Sequence, residues 1–146
     1  MLCASTAQTG KLWTLTVMTN TPVAALVATV DDRMMTNNWP VVAREHPRVG
    51  PPGLRHAILR HHTGGTVGCL SWRDNSGQVR GLLYHYQCDF PPYERRGNVN
   101  LWIDPAWHRR GLGSSLLAEA DRRWTVNFAQ QKYTTAGLAL VRAHLG

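Results

Sequence analysis

One segment, residues 98–124 with the sequence NVNLWIDPAWHRRGLGSSLLAEADRRW, constrains the fold of this chain more than any other. Val99, Leu101 and Ile103 alternate with other residues, which predicts a strand that buries one face. Beyond the turn RRGLG, apolar residues recur at four-residue spacing and predict an amphipathic helix. A strand that passes through a Gly-rich turn into a helix directs several backbone N–H groups, and the positive end of the helix dipole, at one point. Gly111 and Gly113 therefore mark a predicted anion-binding turn.

The rest of the chain predicts a mostly antiparallel sheet flanked by helices. The strand-like runs HAILRHH, TVGCLSW and VRGLLYHYQ are separated by the turn signals TGG and DNSGQ. Upstream, Thr21 and Pro22 are typical of a helix start, and we expect that helix to end near Met35. Downstream we expect a short strand near residues 125–129 and a final helix in TTAGLALVRAHLG. This order indicates one domain over residues 1–146, of the α/β class in its α+β form, with a mixed, mostly antiparallel central sheet.

The charge balance narrows the class of ligand. The net charge of +7 favours polyanions such as nucleic acid or a phosphorylated cofactor, and it disfavours polycationic substrates. No apolar run approaches the roughly 18 residues of a membrane span, so we expect no membrane partner. The cysteines show no C-x-x-C pair and are expected to be reduced, and no secretory signal is evident, so we expect a cytoplasmic protein. Residues 1–20 are expected either to be disordered or, if translation starts at Met18, in large part not to be made.

Two well-known phosphate loops do not fit the turn. A Walker loop requires Gly-Lys-Ser/Thr after its glycines, whereas Ser114 and Ser115 follow Gly113 here. A dinucleotide-binding loop requires a third glycine where Leu116 stands, and a parallel β-α-β setting in place of an antiparallel meander. The turn is therefore expected to bind a phosphorylated ligand of another kind.

The succession of strand, Asp104, Pro105, an aromatic residue, HRRGLG and SSLLAEA resembles the acyl-coenzyme A signature of the GNAT superfamily of N-acyltransferases. The family pattern is Arg/Gln-x-x-Gly-x-Gly/Ala, and His108 occupies its first position. The resemblance implies a GNAT-like fold and acetyl-CoA as co-substrate. It also implies an enzyme that transfers an acetyl group to a primary amine by direct attack of the amine on the thioester. No metal is expected, because no ligand spacing recurs around His61, His62 and the nearby cysteines.

The resemblance also implies where the ligand lies. The strand backbone would pair with the pantetheine arm of coenzyme A, and one of its N–H groups would polarise the thioester carbonyl. Tyr133 matches, by position, the tyrosine that protonates the departing thiolate in this family. Glu94 is the expected base, with Asp89, His85 or a chain of water molecules left open. The strand residues concerned are Leu101, Trp102 and Ile103, and the pyrophosphate would be held by His108, Arg109, Arg110, Gly111, Leu112, Gly113 and Ser114.

The acceptor is less constrained than the cofactor. Members of the family usually continue with another helix and two strands, whereas only residues 125–146 follow Trp124, so we expect a second subunit of a homodimer to complete the acceptor wall. The amine could belong to a small molecule or a macromolecule. One alternative is an amine on a nucleic acid, such as an aminoacyl-tRNA or an amino-modified base. Another is a non-catalytic domain that binds coenzyme A or nucleic acid.

Overall fold

A computed structural model of the chain describes residues 29–30, 50–60, 64–92 and 94–146. The expectations for residues 1–20, and for most of the helix expected between Pro22 and Met35, lie outside these residues. Thr29–Val30 form a short strand, β1, so the helix expectation is wrong at these two positions. Both residues are β-branched, which favours extended backbone, and β1 pairs with a strand near the C-terminus.

The central sheet has four strands in the sequential order β2-β3-β4-β5, and every neighbouring pair is antiparallel. This confirms the predicted meander and the α+β class. β2, β3 and β4 are each eight residues long, and a turn around Asp74 joins β3 to β4. The strands span Gly53–Arg60, Thr66–Arg73, Val79–Tyr86 and Val99–Ile103.

The helical elements follow β5. A 3-10 helix at Pro105–Trp107 leads to α1 at Leu112–Arg123, and α2 occupies Thr135–Leu145. The expected strand at residues 125–129 is wrong: the strand in this region is β6 at Lys132–Tyr133, which pairs in parallel with β1. No helix among the described residues is long and apolar enough to cross a membrane.

Helix α1 packs on one face of the sheet, where two glycines give it room. A Cβ at Gly68 would lie 2.5 Å from the Trp124 ring, and one at Gly81 would lie 2.9 Å from Leu116. Leu116 is 1% exposed, so its replacement by alanine should cost about 2–5 kcal/mol. This face carries the main core, which α1, the inner strands and α2 form together: Leu70, Leu83, Leu116, Leu117, Ala120, Val126, Phe128, Tyr133, Leu138 and Val141.

The opposite face of the sheet carries a second buried cluster. Tyr84, Tyr86 and Phe90 contribute its aromatic rings, and Trp102 packs against it from β5. Burial raises the pKa of the Cys69 thiol to about 12, so this cysteine stays protonated. Cys88 is disulfide-bonded, which contradicts the expectation that all cysteines are reduced.

Candidate functional site

A cavity of about 490 Å³ lies between the outer edge of β5, the turn that precedes α1, and the first residues of α2. Its volume is within the range of small-molecule and cofactor sites. Apolar side chains from all three walls line it, among them Leu101 from β5, Leu117 from α1 and Leu140 from α2. Such walls suit a thin, largely apolar ligand segment that enters between the strand and the second helix.

The outer edge of β5 offers unpaired backbone groups to this cavity. Asp104 N donates to Arg80 O at 2.8 Å and Asn98 O accepts from Tyr86 N at 3.0 Å, so the even-numbered residues of this stretch face β4. The odd-numbered ones face outward: Val99 N donates to Gln131 Oε1 at 3.0 Å. No strand among the described residues pairs with this edge. The N–H and C=O of Leu101 consequently point toward the cavity.

The segment after β5 is held by contacts of the Asp104 carboxylate and of the His108 ring. The Asp104 carboxylate accepts from Ala106 N at 2.9 Å and from Arg80 Nη1 at 2.7 Å, and these contacts lower the pKa of Asp104. His108 Nε2–H donates to the Ile103 carbonyl oxygen at 3.1 Å. This bond leaves Nδ1 of His108, which can donate to a phosphate only as the imidazolium.

The turn itself has an unusual backbone conformation. Arg109, with φ of 64°, is the one non-glycine residue with a positive φ among the described residues, and Gly111 follows with φ of 80°. A left-handed non-glycine residue costs of order 1 kcal/mol, and such strain concentrates at ligand-binding turns. Successive N–H groups in left-handed turns form concave anion sites. The conformation therefore supports the predicted anion-binding turn.

The first amides of α1 are available to a ligand. Gly111 is the N-cap and no side chain caps the helix. Along α1, the first backbone N–H that donates to a main-chain carbonyl is that of Ser115, which bonds Gly111 O at 3.0 Å. The N–H groups of Leu112, Gly113 and Ser114 precede it, and all three residues line the cavity. These are the amides that an anion at a helix N-terminus accepts from.

The charge around the cavity favours an anion as well. Arg109, His108 and Lys132 line it, and no carboxylate does so among the described residues. The N-terminus of α2 also lies there: Thr134 caps that helix through Gly137 N at 3.0 Å. Two helix N-termini and at least two cationic side chains thus meet at one cavity, which raises its affinity for phosphate groups.

The structure brings together most of the residues predicted to bind the cofactor. Two of them lie elsewhere. The backbone of Trp102 faces β4 and its side chain packs on the far face of the sheet. The guanidinium of Arg110 lies 4.4 Å from the centre of the Trp107 ring, outside the cavity. The predicted residues that line the cavity are Leu101, Ile103, His108, Arg109, Gly111, Leu112, Gly113 and Ser114.

Tyr133, the expected acid, is among the residues that line the cavity but is only 5% exposed. Its hydroxyl donates to the Phe128 carbonyl. Burial raises the pKa of Tyr133 to about 12, so the phenol is protonated at neutral pH. To protonate a thiolate, the hydroxyl would first have to leave the Phe128 carbonyl, which is a buried acceptor.

Glu94, the expected base, does not line the cavity. Its carboxylate accepts from Asn98 Nδ2 at 3.0 Å and from Asn100 Nδ2 at 3.4 Å. Burial raises the pKa of Glu94, and these two hydrogen bonds oppose the shift. Asn100 is among the residues that line the cavity, and its side-chain amide is bonded to Glu94 and to Tyr86 Oη.

The other two candidates for the base lie elsewhere. Asp89 accepts from Arg96 N at 2.9 Å in an exposed loop, and it is not among the cavity residues. His85 is buried: its Nε2–H donates to Thr125 O at 2.9 Å, and its Nδ1 accepts from Gln87 Nε2 at 3.2 Å. Both ring nitrogens of His85 are used in structural contacts.

Sequence reasoning missed the wall that faces β5. Lys132, Thr134, Gly137 and Leu140 line the cavity from β6 and α2, and Asn100 lines it from β5. A Cβ at Gly113 would lie 3.2 Å from Leu140 Cδ2, so α1 and α2 meet closely there. β6 and α2 of the same chain therefore close this cavity opposite β5. A homodimer stays a prediction, but this cavity does not require one.

No family model, no curated protein and no solved structure matches the chain.

Proposed function

We propose that this protein is a GNAT-type N-acetyltransferase that moves an acetyl group from acetyl-CoA to a primary amine. One observation carries the proposal: the unpaired N–H of Leu101 and the free amides at the start of α1 face the same cavity. A site for phosphate alone would need only the free amides at the start of α1. A free strand edge beside it matches a ligand with a pyrophosphate at one end and an amide-containing arm at the other.

The residues present fit that ligand. The amides of Leu112, Gly113 and Ser114, with Arg109, would hold the pyrophosphate. The outward backbone groups of β5 would pair with the amides of the pantetheine arm, between apolar walls that include Leu140. Bound acetyl-CoA supplies an activated thioester carbonyl.

The Leu101 N–H would donate to that carbonyl oxygen as negative charge develops on it, and so lower the barrier to attack. A neutral amine forms the new N–C bond while the C–S bond breaks. One N–H proton leaves the amine and one proton reaches the sulfur, which yields an amide and free thiol. Glu94 acting through solvent, or water alone, would receive the first proton.

A second candidate is a domain that binds acyl-CoA without turning it over. The position of Tyr133 favours it, because the hydroxyl of the expected acid already donates to the Phe128 carbonyl. A third candidate, an amine carried by nucleic acid, is supported by the net charge of +7 alone. We therefore rank it below the other two.

Thiol release from acetyl-CoA, measured with a thiol reagent, separates these candidates. The proposal predicts release that requires a small primary amine such as phenethylamine. A binding domain would show coenzyme A affinity by calorimetry and no amine-dependent release. Release only with aminoacyl-tRNA would select the nucleic-acid acceptor. An absence of coenzyme A binding would overturn the proposal.

A further inference from the structure

A side chain of the same chain occupies one end of the β5 edge that borders the cavity. The N–H of Val99 donates to Gln131 Oε1 at 3.0 Å, whereas the N–H of Leu101, the next outward one, has no partner among the described residues. Val99 lines the cavity, but Gln131 does not and is only 6% exposed. Gln131 therefore takes the hydrogen-bonding position on Val99 that a ligand pairing along this edge would otherwise use. We call Val99 and Gln131 the closed end of the edge.

Two contacts fix the orientation of the Gln131 amide. Its Nε2 donates to the Asn127 carbonyl oxygen at 2.7 Å, while its Oε1 accepts from the N–H of Val99. An amide turned over would place Nε2 against that N–H and Oε1 against a carbonyl oxygen, so both bonds would be lost. Asn127 is itself attached to the residues before β5: its N–H donates to Gly97 O at 2.7 Å, and its Nδ2 donates to Asn98 Oδ1 at 2.9 Å. The closed end is thus a fixed part of the fold.

The anion-binding turn lies at the opposite end of the same edge. The first turns of α1 lie over Gly81, the register partner of Ile103, where an added Cβ would meet Leu116 at 2.9 Å. After the last turn of α1, the ring of Trp124 stacks at 4.7 Å on His85, the register partner of the first residue of β5. Helix α1 therefore runs from the end of β5 back toward its start. A ligand that has its phosphates at the start of α1 and follows this edge reaches the closed end last.

The spacing along β5 sets the room that remains for an acyl group. Successive outward N–H groups on one edge of a strand are about 6.7 Å apart. With the thioester oxygen on the Leu101 N–H, this is the distance from that oxygen to Gln131 Oε1. Van der Waals contact with Oε1 takes about 3.5 Å of it. An extended chain advances about 1.2 Å per bond, so two bonds beyond the carbonyl carbon fill the rest.

We propose that Gln131 limits the acyl group of the donor to two or three carbons. Resting on the proposed acetyltransferase function, this limit names the donor class of the same site. Acetyl and propionyl groups fit before the closed end. A longer chain would have to push the Gln131 amide off Val99 and Asn127 and leave buried polar groups without partners, which is costly.

Thiol release with phenethylamine as the acceptor tests this limit when acetyl-CoA, propionyl-CoA and hexanoyl-CoA are compared as donors. For the wild-type protein, kcat/KM for propionyl-CoA should lie within about tenfold of the value for acetyl-CoA, and that for hexanoyl-CoA should be at least about 100-fold lower. Gln131→Ala empties the closed end and frees the Val99 N–H. The ratio of kcat/KM for hexanoyl-CoA to that for acetyl-CoA should then rise at least about tenfold.

Two further variants separate the space that Gln131 fills from the hydrogen bonds that it makes. Gln131→Met loses the same hydrogen bonds as Gln131→Ala but keeps a side chain of similar length, so its ratio should stay within about threefold of the wild-type ratio. A rise in Gln131→Met as large as in Gln131→Ala would overturn the limit. Gln87→Ala, the same change at a glutamine outside the cavity, is the matched control and should leave the ratio unchanged. If Gln131→Ala does not fold, Gln131→Asn, shorter by one methylene, should raise the ratio in its place.

The outcomes distinguish failure of the limit from failure of the function. Wild-type turnover that is as efficient with hexanoyl-CoA as with acetyl-CoA overturns the limit and leaves the acetyltransferase proposal standing. If the wild-type protein binds coenzyme A but releases no thiol, the function fails and calorimetry decides the limit. Hexanoyl-CoA should then bind the wild type at least about tenfold more weakly than acetyl-CoA, and Gln131→Ala should remove the difference. Equal wild-type affinities would overturn the limit, and a protein that binds no coenzyme A overturns both proposals.

Discussion

Replacement of Gly111 by leucine should abolish coenzyme A binding while the protein stays folded. Gly111 lines the cavity and directly precedes the α1 amides, and a Cβ at this position would have no atom within 4 Å, so a leucine side chain has room to occupy the space that a ligand at this turn would take. The cost to folding comes from φ of 80°, which disfavours an L side chain by about 1–2 kcal/mol. For a domain of this size the Tm should fall by about 3–8 °C. A leucine that displaces the phosphate from two amides forfeits about 3–6 kcal/mol of binding, a loss of at least about 100-fold.

The matched control is Gly53→Leu. Gly53 has φ of 98°, and its Cβ position is equally open, but it lies on β2 at the far edge of the sheet. It should lower the Tm comparably and leave coenzyme A affinity unchanged. Calorimetric titration of both variants gives the two affinities, and thermal melting gives the two stabilities. Wild-type affinity in Gly111→Leu would refute the placement of the pyrophosphate at this turn.

Further predictions concern individual side chains. Arg109→Ala should weaken coenzyme A binding about tenfold, whereas Arg110→Ala should weaken it less than about threefold. The reason is that Arg109 lines the cavity whereas Arg110 stacks on Trp107. Equal losses of affinity in calorimetry would contradict this distinction. Tyr133→Phe should destabilise the protein by about 1–3 kcal/mol in urea unfolding, because the Phe128 carbonyl loses its donor. Its kcat should change less than about threefold, and a drop beyond about 100-fold would restore Tyr133 as the acid. Burial lowers the pKa of His85 in the fold, so its contribution to stability is present above the unfolded pKa of about 6.5 and is lost as pH falls through the lower folded value. The Tm should therefore decline as the pH falls below about 6.5, and less so in His85→Gln; an equal decline in both proteins would exclude His85 as the cause.

The strands and α1 were predictable because their signals are local. Alternation in residues 98–103 and four-residue spacing after Gly111 require only near neighbours, and both predictions match the observed elements. The turn was predictable for the same reason, since Gly111 falls between the strand and the helix and Gly113 lies in the first turn of the helix. Arg109 carried no such signal. An arginine in the left-handed region depends on the closure of the whole turn, and nothing in the residue type indicates it.

The second wall of the cavity depends on contacts that are distant in sequence. Val99 and Gln131 are joined by a hydrogen bond across 32 positions. This bond satisfies the outward N–H of Val99, whereas the outward N–H of Leu101 stays unpaired. The strand expected at residues 125–129 fails because the backbone there makes single contacts, such as Asn127 N to Gly97 O at 2.7 Å, in place of a ladder. Apolar alternation cannot distinguish these two arrangements. The hydrogen bond between Asn100 and Glu94 was hidden in the same way, since it joins a strand residue to a loop residue.

The central claim is that the edge of β5 and the start of α1 bind one acyl-CoA molecule. Amide NMR spectra recorded during a titration with coenzyme A test it most directly. The account predicts that the signals of Leu101, Gly113 and Ser114 shift together and saturate with a single Kd. No shift at millimolar coenzyme A, or shifts at Gly113 and Ser114 that leave Leu101 unmoved, would contradict it.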